Sequence, residues 1–271
     1  MRVALTIAGS DSSGGAGIQG DLKTFAACGV YGTTAITAIT AQNSLGITAW
    51  EAVSTELVIA QIEAIAADFP PDAVKTGMLA TTAIVEATGA AIASLALPKL
   101  VVDPVMMSTS GARLLPEDAV ASMIAEIFPQ AEVVTPNLAE AEALSGCAIR
   151  SVADMWTAAR RIRELGPRVV VLKGGHLPPP GSDLDFRRAD EIVDVVCSAD
   201  NEFELRGPRI ATRDTHGTGC TFAAAIAAYL ALGQPVDDAI RAARTYLEGA
   251  IRSAPGLGSG HGPLNHFWRV Y

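Results

Sequence analysis

A chain of 271 residues, 49% hydrophobic and 18% charged, is long enough for one large α/β domain with a small appendage and too apolar for a disordered segment. Its formal charge of −9, with no run of Lys or Arg, argues against a nucleic-acid surface or an anionic membrane patch. An anionic ligand must then be held locally, by backbone amides, a few basic side chains and a metal ion.

In chain order, Val3 to Ala8 reads as the first strand, and the start Met1-Arg2-Val3 runs into it without the regions of a signal peptide. A glycine-rich loop, Gly9 to Gly17, leads to a helix over Ile18 to Ala27. It holds a formal GxGxxG from Gly15 to Gly20, but Thr40, Ala41 and Gln42 stand where a dinucleotide site needs an acid, so the loop reads as substrate-contacting. Thr33 to Thr40 reads as the second strand, followed by Gln42 and Asn43. The segment from Asn43 to Val53 projects as a flap. An amide at Gln42 can pair with a heteroaromatic edge bearing both donor and acceptor, against the plain reading of a turn.

Helices over Leu57 to Ala67 and Ile84 to Leu95 flank a strand at Ala73 to Lys75, with Gly77 and Met78 beyond its end. Met78 reads as a packing surface for a flat ring or as core filler. Strands follow at Leu100 to Val102, Val133 to Val134 and Val169 to Leu172, separated by helices at Ala119 to Phe128 and Val152 to Leu165. Their ends carry Asp103, Thr135-Pro136-Asn137 with Glu140 beyond, and Lys173-Gly174-Gly175. Asp103 and Glu140 suit a Mg²⁺-bound triphosphate, directly or through water, or else serve as a loop cap and a first-turn acid of a helix. Lys173 suits nucleotide phosphate, or is a surface lysine. This βαβ alternation predicts a mostly parallel sheet covered on both faces, with ligands beyond the carboxyl ends of its strands.

After the turn-rich Pro178 to Asp185, Ile192 to Val196 and Glu202 to Leu205 read as a hairpin at an antiparallel sheet edge. The block Asp214 to Thr221 then feeds an alanine-rich helix from Phe222 to Leu232, and a last helix spans Asp237 to Ile251. A glycine-rich turn entering a helix leaves N–H groups open at the positive end of its dipole, so Gly217, Thr218 and Gly219 read as an anion hole for a transferred phosphoryl group. Cys220 stands at that helix start, where the dipole is expected to lower a thiol pKa and make it a base toward a substrate hydroxyl; otherwise it is a small buried residue. Walker A sequence is absent, which excludes a P-loop kinase at the motif level. The remaining cysteines, Cys28, Cys147 and Cys197, form no CxxC pair or Cys/His cluster, which fits a reducing compartment without structural zinc. The apolar run Phe222 to Leu232 is far short of the roughly 18 residues of a spanning helix.

Taken together, Ala8-Gly9-Ser10-Asp11, Gly14 to Gly17 with Ile18, Gln19 and Asp21, Gln42-Asn43, Lys75-Thr76-Gly77-Met78, Asp103-Pro104-Val105-Met106, Thr135 to Leu138 with Glu140, Lys173 to His176, Thr215 to Thr221 and the tail Gly260 to Leu264 resemble the hydroxymethylpyrimidine kinase family, in order over nearly the whole chain. The resemblance implies a ribokinase-like three-layer α/β/α sandwich with a small flap, spanning residues 1 to 271 as a single domain. It implies Mg-ATP as donor and two successive phosphorylations of 4-amino-5-hydroxymethyl-2-methylpyrimidine, to the monophosphate and then the diphosphate, in thiamine biosynthesis.

By matching position, Gln42 reads the aminopyrimidine edge while Gly9, Asp21 and Met78 line the pocket. Asp103 and Glu140 serve metal and triphosphate, Lys173 the phosphates, Gly217 to Gly219 the anion hole, and Cys220 stands at the base position. Most sugar kinases of the superfamily carry aspartate there, so Cys220 points to the pyrimidine branch. Pyridoxal kinase is the nearest alternative, since pyridoxal also offers a hydroxymethyl group on a flat heteroaromatic ring. A nucleotide-binding regulator without turnover is another, because fold alone does not establish activity. The expected setting is the cytoplasm, and the edge hairpin and flap are expected to pair across a two-fold axis as a homodimer.

Overall fold

The computed structural model describes residues 1–106, 115–175 and 191–270. The Pro178 to Asp185 loop and His176 therefore lie outside the described residues. The first strand, β1 (Val3–Ala8), lies second from one edge of an eight-stranded sheet, with β2 (Tyr31–Ile36) as that edge. On its other side follow β5 (Ala73–Thr76), β6 (Leu100–Val102), β7 (Ala131–Val134), β8 (Val169–Leu172), β9 (Glu191–Cys197) and β10 (Glu202–Pro208). The pairs from β2 to β8 are parallel, and the two pairs that add β9 and β10 are antiparallel. Strands β5, β6 and β8 are buried at every position, as expected where helices cover both faces, and this is why their sequences run apolar without alternation.

Helices α2 (Thr55–Asp68), α3 (Thr82–Ser94), α4 (Glu117–Glu126), α5 (Leu138–Ser145) and α6 (Val152–Glu164) pack one face, sharing a core with Leu5, Val74, Val102 and Val170. Helices α1 (Gly17–Ala27), α7 (Thr218–Ala231) and α8 (Val236–Arg252) pack the other, around Ala4, Val101, Val133 and Val171. Helix α7 is buried on every side from Thr221 to Ala231, lying against the sheet between α1 and α8. Its run of alanines is what lets two helices and a sheet approach it closely. Its first turn therefore opens at the carboxyl ends of the parallel strands.

Three elements differ from the sequence expectation. The run from Thr33 to Thr40 is not one strand: it breaks at Thr37 and continues as β3 (Ala38–Asn43), which pairs only with β4 (Gly46–Ala52) as a two-stranded flap. Thr37 is pinned at the break, its N–H donating to Ala8 and its hydroxyl to the Met78 carbonyl. Helix α5, which entered the sequence reading only through Glu140 as a first-turn acid and was given no bounds there, is secured by a reciprocal capping box between Asn137 and Glu140 and ends at Gly146 with φ of 66°. Helix α7 begins at Thr218, four residues earlier than its apolar run, so Gly219 and Cys220 belong to its first turn. No helix among the described residues is long and apolar enough to cross a membrane.

Candidate active site

Two cavities meet over the first turn of α7. The first, about 300 Å³, is walled by the Gly9 to Gly17 loop, the flap through Gln42 and Ile47, Met78 and Val105, with Gly217 to Cys220 at its base. The second, about 330 Å³, lies between Ile192, Pro208 to Thr212, Phe222 and Arg244. Lys173, Thr215, Thr218 and Gly219 line both. A group passing from one cavity to the other must cross the helix start.

The two glycine-rich loops form one unit there. Asp11 receives the N–H groups of Ser13, Gly15 and Ala16, and Nε2 of His216 donates to it at 2.8 Å. Burial disfavours the Asp11 carboxylate, but the hydrogen bonds from His216 and Ser13 outweigh it and hold its pKa at about 2. Gly217 caps α7 with φ of 82° and lies directly against the backbone of Gly15. The N–H of Thr218 is taken by Thr215 and that of Thr221 by Gly217. The intervening N–H groups of Gly219 and Cys220 have no intrahelical acceptor within reach, and both residues line the first cavity.

Above this turn stand the charges. Lys173 Nζ pairs with Asp103 Oδ1 at 3.0 Å, and a Cβ placed on Gly219 would meet that Nζ at 3.2 Å and Asp103 Oδ2 at 3.4 Å. Burial works against the Lys173 ammonium, yet Asp103 and Glu140 outweigh it and raise its pKa, so it is charged. Glu140 lines the first cavity with one oxygen accepting from Asn137 N–H at 2.8 Å. Burial pushes its carboxyl up to about 7, with Lys173 pulling against this and Asp103 adding to it. A carboxyl whose folded pKa is raised favours the fold while protonated, and that contribution is lost as pH rises through about 7. We therefore expect the melting temperature of the ligand-free protein to fall from pH 5 to pH 8, and Glu140→Gln, which keeps the capping box, to flatten that fall. Thermal scans at several pH values check it.

Most sequence-derived site residues converge here: Gly9, Gln42, Met78, Asp103, Glu140, Lys173, Gly217, Thr218, Gly219 and Cys220 all line the first cavity. Gln42 reaches it from the flap rather than from a sheet strand, its Oε1 accepting from the Thr40 hydroxyl and its backbone clamped to Ser12. Two expectations need correction. Asp21 does not line the cavity: its side chain is fully buried, ion-paired to Lys75 at 2.9 Å and accepting from the Thr6 hydroxyl at 2.6 Å. The Cys220 thiol is not made acidic in this site. Burial pushes it up to about 11, against the pull of Lys75, while Asp103 and Asp21 push it the same way as burial.

Lys75 and His216 stand within motifs quoted from the sequence but had no role of their own there, and the second cavity had no counterpart in it. Lys75 was detectable as a charge ending an apolar strand. The second cavity was less so: its floor is the buried pair Arg244 and Asp194, 3.0 Å apart, with Asp194 also accepting from Gly174 N–H. The C-terminal segment ties the site together, His261 and Gly260 binding Ser44 at the flap tip and Gly262 accepting from His216 N–H.

A mostly parallel three-layer sheet, with two cavities joined at an anion-binding helix start beside a lysine and two carboxylates, defines a small-molecule kinase of the ribokinase-like kind. The family model described as phosphomethylpyrimidine kinase matches residues 11–265. The hydroxymethylpyrimidine/phosphomethylpyrimidine kinase of Rhizobium meliloti (strain 1021) is 48% identical over 270 residues, covering 98% of this chain and 97% of that protein. Among solved structures, phosphomethylpyrimidine kinase from Clostridium difficile 630 aligns with a TM-score of 0.79 at 41% identity, covering 93% of this chain and all of the other. The ADP complex of Bacillus subtilis pyridoxal kinase aligns with a TM-score of 0.87 at 40% identity, covering 98% and 97%. The chain belongs to the phosphomethylpyrimidine kinase family.

Proposed function

We propose that this kinase transfers the γ-phosphoryl group of ATP to the hydroxymethyl group of 4-amino-5-hydroxymethyl-2-methylpyrimidine and then to the resulting monophosphate, in the thiamine pathway. The observation that carries the reading is the junction of the two cavities: a flat-ring pocket with an amide wall opens onto the same helix turn as a second cavity sized for a nucleotide. In this reading the ring lies between Met78 and the Gly9 loop, with Gln42 reading the aminopyrimidine edge. The flap and the polar clamp from Ser12 to Gln42 exclude water. The triphosphate enters from the second cavity past Lys173, and the N–H groups of Gly219 and Cys220, with Thr218, receive the charge that develops on the transferred group.

Asp103 and Glu140 are the groups suited to Mg²⁺. Among the described residues no cluster of three or more His, Cys, Asp or Glu exists to hold a metal alone, which suits an ion that takes one or two carboxylates and completes its shell with phosphates and water. Bound there, it would neutralise triphosphate charge. Cys220 lies against the acceptor oxygen and, with its thiol pushed up to about 11, acts as the proton acceptor only when substrate and neighbouring cations favour the thiolate; otherwise it positions the hydroxyl. Cytoplasmic location and a homodimer formed through flap and edge hairpin complete the reading, and a monomeric mass by light scattering would remove the dimer.

A second reading is favoured by the pyridoxal kinase structures among the similar folds, one of them from Staphylococcus aureus in complex with pyridoxal. Magnesium-dependent ADP release with the pyrimidine alcohol, its monophosphate and pyridoxal in parallel separates the two. Turnover of the monophosphate is the expected result. Turnover of pyridoxal alone would install the second reading, and no release with any of them would favour a nucleotide-binding regulator.

A further inference from the structure

The segment that follows α8 has no part in the functional reading, yet it is joined to three walls of the first cavity. Ile251, in the last turn of α8, lines the second cavity, and the chain then runs exposed over residues 255 to 259. It meets the flap at its tip: Gly260 N–H donates to Ser44 Oγ at 3.2 Å and His261 N–H to the Ser44 carbonyl at 2.9 Å. The Gly262 carbonyl then accepts from His216 N–H at 3.0 Å, and Pro263 bridges His216 in parallel. His216 reaches Asp11 at 2.8 Å, and Ser12 returns to the flap through bonds of 2.8 and 2.7 Å with the Gln42 backbone. Flap, C-terminal segment, helix-start turn and glycine-rich loop thus form a closed circuit, with Asp11, Gln42 and His216 lining the first cavity. Glycines make the approach possible. A Cβ on Gly260 would run into the Ser44 carbonyl oxygen and one on Gly262 into the Asp214 carboxylate, and neither glycine has a left-handed φ, so it is space that a side chain would violate.

We propose that residues 258–263 are a positioning element for the acceptor, acting through Ser44: by pinning the flap tip they hold Gln42 and Ile47 in the pocket wall. The inference rests on the first cavity being the acceptor pocket. The flap needs such a hold, because a two-stranded hairpin is marginal in water by itself, and β3 and β4 pair only with each other. At its base Ala38 and Ala52 pack with Met78 and Ala80. Over residues 42 to 50, its hydrogen bonds to the rest of the described residues are those to Ser12 and to the C-terminal segment. Ser44 is two residues from Gln42, and Ile47 is the cross-strand partner of Gln42, so a tip that lifts takes both wall residues with it.

Gly260→Ala tests this, since the added methyl drives the segment off Ser44 and leaves every residue of the flap in place. Hydrogen exchange read by mass spectrometry is expected to show the amides of residues 42 to 48 exchanging about tenfold faster while those of α7 are unchanged, the scale of one or two released hydrogen bonds. KM for the acceptor is expected to rise by about the same factor, with ADP affinity by calorimetry unchanged. Ser44→Ala, which removes one of the two bonds, is expected to give the same pattern to a smaller degree, and it decides the point if Gly260→Ala does not fold. A folded variant that melts lower but keeps the flap exchange and acceptor KM of the unaltered protein has lost only a structural contact, and that result overturns the inference. So does a freed flap with an unchanged KM. The exchange readout needs no substrate: an unaltered protein that turns over none of the three acceptors while its flap still depends on Gly260 would sink the functional reading alone, whereas an unchanged KM for an acceptor that is turned over would sink this one alone.

Discussion

Replacing Lys173 with Met is expected to lower kcat by about 10²–10³-fold, the range found when one preorganised charge or donor at a developing anion is removed. The expectation follows from where the side chain stands. It lines both cavities, close over Gly219 and thus over the open N–H groups of α7, so any phosphoryl group crossing between the cavities passes it. A methionine retains the bulk of the stem and loses only the charge. Two effects have to be separated. Asp103 would lose its 3.0 Å partner, a change that lowers stability whether or not the lysine acts in chemistry. Glu140 would lose the strongest of the neighbours that pull its pKa down from the level burial sets, leaving only the N–H groups of Asn137 and Met106, so its carboxyl would ionise at higher pH. The measurement is therefore kcat and KM for ATP and acceptor across pH, alongside melting temperature. A loss of kcat at all pH values in a folded protein supports a role at the transferred group. A loss confined to neutral pH and recovered on raising it would assign the effect to Glu140 instead, and an unchanged kcat would remove Lys173 from the proposed machinery.

The division between what the sequence made legible and what it hid follows from the range of the forces involved. Strands such as Leu100–Val102 and Val169–Leu172 are buried on both faces, and a short apolar run bounded by polar residues is the direct imprint of that burial. The anion-binding turn was legible for a similar reason: glycines at a helix entry have a local meaning that survives any tertiary setting. Helix α5 was legible only at its start, where Glu140 suits a first-turn acid; its eight residues are too few to show a period and so to give its extent. The break at Thr37 was hidden because a run of threonine, alanine and isoleucine suits a strand throughout. What divides it is a pair of hydrogen bonds to Ala8 and Met78, distant in the chain.

The ionisation of the site lay furthest from view. Asp21 is paired with a residue 54 positions away, and only the folded chain places it behind Lys75 rather than in the cavity. The same holds for Cys220. A helix start lowers a thiol pKa in isolation, but in this setting burial and two carboxylates work the other way.

Gly217→Ala is expected to combine a modest loss of stability with a severe loss of activity, and the reason is geometric. Position 217 has φ of 82°, in the left-handed region, where an L-residue with a Cβ pays about 1–2 kcal/mol. The Cβ would also run into the carbonyl oxygen of Gly15, a backbone atom that cannot swing aside as a side-chain tip does. Gly15 is in turn fixed by Asp11, which also receives His216, so the strain passes into the loop that walls the acceptor pocket. At about 2–4 °C per kcal/mol for a domain of this size, the intrinsic cost alone lowers the melting temperature by several degrees, and the clash adds to it. The catalytic effect is larger because alignment is steeper than stability: a displacement of about 1 Å in a reacting geometry costs on the order of 10²-fold. Relieving the clash requires moving either the Gly15 loop or the start of α7 by a distance of that order. The expected result is a folded protein whose kcat falls at least 10²-fold, with nucleotide affinity less affected, since half of the second cavity's lining comes from residues 208 to 212 and α8, away from the turn. Nucleotide titration of the variant by calorimetry, beside its turnover, decides the point. Equal losses of affinity and rate would mean that the turn binds the ground-state triphosphate, whereas loss of rate alone places its donors at the transferred phosphoryl group.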